Sequence, residues 1–427
     1  MRTNERAKAG RAAVRRVRLP GVLRWFWVGS AAAFGLTFLV GWVEWRVGLP
    51  RGRWDPLLGA MLDLKEYVGT YRLLHAAGFF FWTGGRPVGD SMWSAVAYPP
   101  FAAAVMAPLY AAGRPVVMYL MVAAVALGVG VWGVRGALVR EGIGGGTALM
   151  LPLTLMVMSF PMVRMVWQGN IELVVWVFAA GGCVAFVRGR EDVAGALWGL
   201  AAAMKLYPVM LLVLLVGRRR YRALGVGVGS FVGATLLSLW WLGPSVGTAW
   251  HGSVQNVFGY QGLRAGEWTL RELAANHSAF ELVKVGAMVV GAPMGRLTGA
   301  YYACGAAVFA VAWFGRLRKM PVTNQLLGVT VFMVLLPTIS YFHALVHLYV
   351  PLVMLMILAI RAERAGVRVR GLGVTLMLFV PLLGSFTLFT FPRVYLFGGL
   401  VQAGLLVGLF ACAVRFQFGG DARVEGR

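Results

Sequence analysis

Apolar runs of helical length, separated by short intervals rich in glycine, proline and arginine, succeed one another along most of this 427-residue chain. The first, Trp25 to about Val43, is long enough to cross a bilayer as a helix. A partly polar interval, 44–97, follows it. Runs then lie near 101–112, 115–134, 147–165, 171–187, 193–216 and 222–242, each closed by Gly, Pro or Arg. A second polar interval, 243–283, precedes runs near 299–315, 325–341, 343–360, 371–391 and 395–414. Two boundaries stay open. The run 101–112 is short for a crossing unless it begins before Tyr98, and 193–216, which contains Lys205 and Pro208, reads either as one helix or as two half-helices. The pattern predicts an all-α, polytopic membrane fold with about twelve crossings, one or two of them open to a re-entrant reading. No soluble domain and no internal repeat is visible.

Composition agrees with this class. The chain is 59% hydrophobic and 13% charged, with a mean hydropathy of +0.73, against roughly 25% charged residues in soluble domains. A net charge of +24 would point a soluble chain toward nucleic acid. Here the basic residues cluster between apolar runs, as the positive-inside rule requires, so membrane lipids replace nucleic acid as the expected partner. Residues 1–24 carry eight Lys and Arg against Glu5 alone and form a basic cytoplasmic tail. Ala31-Ala32-Ala33 imitates a signal-peptide site, but too few apolar residues precede it, so the first helix is expected to stay uncleaved. One multi-pass membrane domain, 25–415, follows, with a second cytoplasmic tail at 416–427. The clusters 218–222, 316–319 and 361–370 fall inside, while 44–97 and 243–283 fall outside the cell membrane. The first outer interval is too long and too helical in pattern for a plain linker, which predicts interfacial helices there.

Chemistry is narrowed first by what the sequence lacks. There is no GxxxxGK[ST] loop, no His-Glu-x-x-His pair and no Gly-x-Ser-x-Gly elbow, which removes nucleotide hydrolysis and the common hydrolases. Cys183, Cys304 and Cys412 lie singly in apolar runs with no CxxC pairing, and no metal or cofactor is expected.

The remaining polar residues are informative because placing them beside apolar runs costs free energy. In the first outer interval a helix would set Asp63, Tyr67 and Tyr71 on one face. They read as a catalytic carboxylate with phenol partners, or as a solvated loop acid with belt aromatics. Tyr98-Pro99-Pro100 predicts a fixed, non-helical entry before a helix resumes at Phe101. Gln168-Gly169-Asn170 opens the run 171–187, with Glu172 just beyond, and Asn170 is either a ligand or a helix cap. Lys205 in AMKLYP either snorkels to an interface or faces a cavity and binds phosphate. Asn276 and Ser278, in ANHSA, stand where an interfacial helix begins and would by themselves be caps. Ser340 and His343 follow in ISYFH, with His347 four residues on. No third zinc ligand accompanies the two histidines, so His343 fits better as a phosphate or hydroxyl partner.

Taken in order, D-x3-Y, YPP, QGN, K-x2-P, N-x-S and S-Y-x-H resemble glycosyltransferase family 87, also known as DUF2029, over roughly Asp63 to Pro351. The family commonly has G-Q-x-N where this chain has Gln168-Gly169-Asn170, and Ser-Trp-x-His where it has Ser340-Tyr341-Phe342-His343. The resemblance implies a GT-C type membrane enzyme, similar to polyprenol-phosphate-mannose-dependent alpha-1,2-mannosyltransferases. Such an enzyme moves a hexose from a polyprenyl-phosphate sugar donor to a glycolipid or glycan acceptor on the outer membrane face. By the same resemblance Asp63 would be the general base of an inverting displacement. Lys205 and His343 would stabilise the departing lipid phosphate, and Tyr67, Asn276 and Ser278 would orient sugar hydroxyls or phosphate oxygens. Tyr98, Gln168, Asn170 and Ser340 complete the expected substrate-binding set. The chain has no Asp-x-Asp signature, consistent with a donor whose single phosphate side-chain cations can serve. A transporter or lipid flippase would need a similar polar cavity, with its charges concentrated at mid-membrane depth, and a non-catalytic relative would share the motifs.

The charge pattern predicts sidedness directly. In a chain whose three cysteines are replaced, new cysteines at Gly85 and Gly262 should react with an impermeant thiol reagent from outside, and one at Tyr221 should not. The reverse labelling would overturn the topology.

Overall fold

The computed structural model describes residues 19–46, 98–111, 114–242, 245–254, 257, 276–290, 294–384 and 398–419. Helices form where the apolar runs predicted them. The first run lies in Gly21–Arg46, and the next described helix, Pro100–Ala111, starts on the last residue of the YPP entry. A proline suits the first helical position, where its missing N–H leaves nothing unpaired. Among the described residues the fold is all-helical apart from one isolated bridge between Asn276 and Tyr341.

Among the described residues five helices are long and apolar enough to cross a membrane: Pro115–Arg140, Tyr221–Trp241, Leu297–Lys319, Phe342–Arg364 and Gly398–Arg415. A sixth span arises if Gly145–Met158 and Phe160–Val166, bent by 69° at Ser159, are counted together. The expected twelve or so crossings are not reached by these helices alone: they would also require Gly21–Arg46, Pro100–Ala111 and the shorter apolar helices Glu172–Val187, Tyr207–Gly217, Val322–Leu335 and Leu372–Gly384 to cross.

Burial separates the outer helices from the central ones. Only 11% of the Leu297–Lys319 span and 17% of Pro115–Arg140 is buried, against 67% of Phe342–Arg364. Val125, Val129, Trp132, Trp240 and Val311 are exposed on the outer helices, the surface a lipid solvent selects. Val322–Leu335 is buried continuously from Asn324 onward and forms the centre. Asn324 ties it to the C-terminal helix, donating to Ala413 O and Phe416 O at 2.8 and 2.6 Å and accepting from Phe418 N at 2.7 Å. Glu141 joins the ends of two other helices, accepting from Arg361 Nη2 and Nε at 2.6 and 3.0 Å.

Lipid supplies little hydrophobic drive between helices, so close backbone approach must hold them together. Glu191–Met204 packs along Tyr221–Leu242 through Gly195 and Gly199 on one side and Ala223 and Gly227 on the other. A methyl at Gly199 would lie 2.1 Å from Gly227 O, and one at Gly195 would lie 2.2 Å from Ala223 O. Trp198, on the same helix, donates to Ala179 O at 3.2 Å and covers Gly182. This packing holds the helix that ends just before Lys205.

Gly199→Leu should therefore push the two helices apart and lower the yield of folded protein in detergent severalfold, overpacking costing about 1–3 kcal/mol or more. Gly229→Ala, where an added methyl meets nothing within 4 Å, should leave the yield unchanged. Equal yields from both would show that the contact does not hold the bundle.

Candidate functional site

Four interruptions of helical backbone converge in space. Gly169 ends the Phe160–Gln168 helix at φ 65°, the left-handed conformation that favours glycine, and Asn170 and Ile171 turn the chain into Glu172–Val187. Lys205 ends Glu191–Met204 in an extended conformation, φ −144° and ψ 134°. The chain then continues as a 3-10 helix, Tyr207–Leu212, with Pro208 in its first turn. Another 3-10 helix, Phe342–Leu348, replaces the start of the run expected at 343–360, and the run expected to reach 341 leaves its helix at Leu335. Six- and seven-residue 3-10 stretches exceed the usual three or four residues, and such stretches often mark functional segments.

At the convergence lies the Glu172 carboxylate, fully buried. Lys205 Nζ meets its Oε2 at 2.6 Å, and His347 Nε2 meets its Oε1 at 2.7 Å. Tyr207 OH donates to Oε1 and lies 3.0 Å from His347 Nε2. His343 Nε2 stands 4.0 Å from Oε2. Asn170 Oδ1 accepts the Glu172 N–H at 2.9 Å while its Nδ2 faces His343 Nδ1 at 3.4 Å, so Asn170 is both the cap and a member of the cluster. Tyr119 OH holds the Asn170 carbonyl at 3.0 Å. Tyr98, at the YPP entry, presents its ring 5.0 Å from Lys205 Nζ, a cation–π contact. The 3-10 coil rises about 2 Å per residue, which spreads His343 and His347 along its axis so that each faces a different carboxylate oxygen.

A second network lies along the backbone of the same segment. Asn276 Oδ1 accepts from Ser340 N at 2.8 Å and Ser278 N at 3.2 Å, and its Nδ2 donates to Glu281 Oε1 at 2.6 Å and Thr338 O at 3.0 Å. Ser278 Oγ accepts from Phe280 N at 2.9 Å, capping Ala279–Val290. Lys284 Nζ binds Glu281 Oε1 at 2.8 Å, both side chains fully buried. His277 Nε2 lies 3.0 Å from Ser340 Oγ, and burial pushes this imidazole down to about 3, leaving it neutral. This network fixes the strand-like turn at 338–341, and hence the start of the coil that carries His343.

The structure thus brings Tyr98, Asn170, Lys205 and His343 together and places Asn276, Ser278 and Ser340 in the adjoining network. Gln168, with its amide oxygen turned to accept, meets Arg164 Nη2 at 3.1 Å within its own helix. Asp63 and Tyr67 lie outside the described residues. Three members were not among the expected site residues. Glu172 stood out in the sequence only as the one acid of the run 171–187, Tyr207 only as the tyrosine before Pro208, and His347 only as half of an incomplete metal pair.

The glycosyltransferase family 87 model matches residues 96–338, more than half of the chain, beginning just before the YPP entry and ending just before Ser340. No curated protein and no solved structure matches the chain at a significant level.

Asn276→Ala would leave the Ser340 N–H, the Thr338 carbonyl and Glu281 each short of a buried partner, and one such loss costs about 1–3 kcal/mol. The expected outcome is a clear fall in the thermal unfolding midpoint together with lost activity. A variant that unfolds like the wild type would show that Asn276 does not hold the turn.

Proposed function

The chain belongs to glycosyltransferase family 87, and on that footing we propose that it moves a hexose, mannose in the first instance, from a polyprenyl-phosphate sugar to a hydroxyl of a glycolipid or glycan. The reaction takes place at the outer face of the cell membrane, on a GT-C type bundle of about twelve crossings. The observation that carries this reading is the convergence of Tyr98, Asn170, Lys205 and His343, from four separate segments, on one polar site among apolar helices. A lysine and a histidine held together at that depth suit a ligand whose phosphate is presented on a lipid tail.

The chemistry is a single displacement. Asp63, as general base, takes the proton of the acceptor hydroxyl, whose oxygen bonds to the anomeric carbon as the bond from that carbon to the phosphate oxygen breaks. The polyprenyl phosphate leaves with the electron pair, and one displacement inverts the anomeric configuration. Lys205, with three N–H donors, and His343 stabilise the charge that develops on the leaving phosphate. Tyr67 in the outer interval orients the sugar, while Asn276, Ser278 and Ser340 act by fixing the backbone that carries His343.

Membranes carrying the protein, assayed with a panel of polyprenyl-phosphate sugars, should transfer sugar from one of them. Asp63→Asn should keep insertion and lose on the order of 10²-fold or more in turnover, the range for a general base. Asp55→Asn and Asp90→Asn, in the same interval, should be tolerated. Near-normal transfer by Asp63→Asn moves the base elsewhere, and no transfer from any donor by the wild type overturns the reading.

A further inference from the structure

The cluster is layered by exposure. Glu172 has no exposed surface, whereas Lys205 and His343 each keep 12% of their side-chain surface. An anion entering the site therefore meets the ammonium, the imidazole and the Tyr98 ring, with the carboxylate behind them. Glu172 is also the most constrained group present: Lys205 holds one oxygen, His347 and Tyr207 hold the other, and Asn170 fixes its backbone N–H. An ammonium has three protons, and only one is directed at Glu172 Oε2. The other two remain for a ligand on the exposed side. Without a counter-ion, a lysine at this depth would be costly to keep and free to snorkel toward water.

We propose that Glu172, backed by Tyr207 and His347, is a positioning residue for donor recognition that holds the Lys205 ammonium toward a lipid-linked phosphate. The inference rests on the polyprenyl-phosphate reading above and extends it to a residue that does not touch the donor. Because the Glu172–Lys205 pair carries no net charge, recognition depends on directed N–H groups and on delivery of the phosphate by its lipid tail, and not on a broad positive field. That design favours a phosphate attached to an isoprenoid over free phosphate.

The test uses the full chain in lipid nanodiscs with farnesyl phosphate, farnesol and inorganic phosphate as probes, each binding constant measured by titration. The wild type should bind farnesyl phosphate at least tenfold more tightly than farnesol, and equimolar inorganic phosphate should not displace it. Glu172→Gln should lose most of that preference while binding farnesol as before, a pattern that general unfolding would not produce because it would weaken both. Glu172→Asp should recover part of the preference. The double variant Glu172→Gln/Lys205→Met carries no unpaired charge, so it should unfold at a higher temperature than Glu172→Gln. It should bind farnesyl phosphate no more weakly than Lys205→Met alone, because Glu172 acts through Lys205.

If Glu172→Gln binds farnesyl phosphate as tightly as the wild type or more tightly, Glu172 only competes for the ammonium and the assignment falls. A double variant clearly weaker than Lys205→Met also overturns it, and this comparison stands even where Glu172→Gln alone does not fold. Displacement by equimolar inorganic phosphate would identify a free-phosphate site and overturn the lipid assignment. A wild type that does not distinguish farnesyl phosphate from farnesol brings down the donor reading itself, whereas a preference that survives in Glu172→Gln brings down only the role of Glu172.

Discussion

A carboxylate with no access to solvent inside an apolar bundle dictates much of what surrounds it. Glu172 is stable there only because a cation and two further donors reach its oxygens at hydrogen-bond distance, since an isolated buried charge costs several kcal/mol even after relaxation. Meeting that demand draws in three separate stretches: the end of the Glu191–Met204 helix through Lys205, the following coil through Tyr207, and the Phe342–Leu348 coil through His347. The interaction is therefore a constraint on tertiary structure as much as a site. Removing Glu172 would leave Lys205, Tyr207 and His347 each short of a buried partner.

The irregular backbone near this cluster has the same origin. Unpaired peptide groups are tolerated at membrane depth only where protein surrounds them, and Lys205, Gly169 and the two 3-10 coils all lie against buried helices. In a continuous α-helix Lys205 would lie along the helix surface. The extended residue lets its long side chain turn toward Glu172. The tight contact of Gly195 and Gly199 with Ala223 and Gly227 anchors the helix just before this turn, so that the position of Lys205 is set by rigid elements.

The two polar networks are mechanically one unit. Asn276 and His277 grip residues 338–341 through backbone atoms, and two residues later His343 faces Asn170 and Glu172. Loop 276–278 belongs to the second polar interval of the sequence, so that interval and the buried cluster are joined by six or so residues of fixed backbone.

The sequence by itself determined the class of the molecule, because bilayer thickness converts runs of apolar residues directly into helices and the charge rule gives their ends a side. It also singled out Asn170, Lys205 and His343, since a polar residue beside an apolar run is costly wherever it ends up and so stands out without any structure. The order of its weak motifs pointed to the family. What the tertiary structure alone decided is which of these residues meet. In the sequence Glu172 stands beside Gln168-Gly169-Asn170 with no role assigned and Tyr207 only before Pro208, because neither residue's neighbours within four positions on the chain reveal a partner 33 to 175 residues away. For Asn276 and Ser278 the sequence offered a helix cap beside a ligand role, and only the tertiary structure shows that the Asn276 side chain also reaches the backbone of residues 338 and 340. Periodicity records which face of a helix is apolar. It carries no record of which polar group on another helix will be there to satisfy the exception.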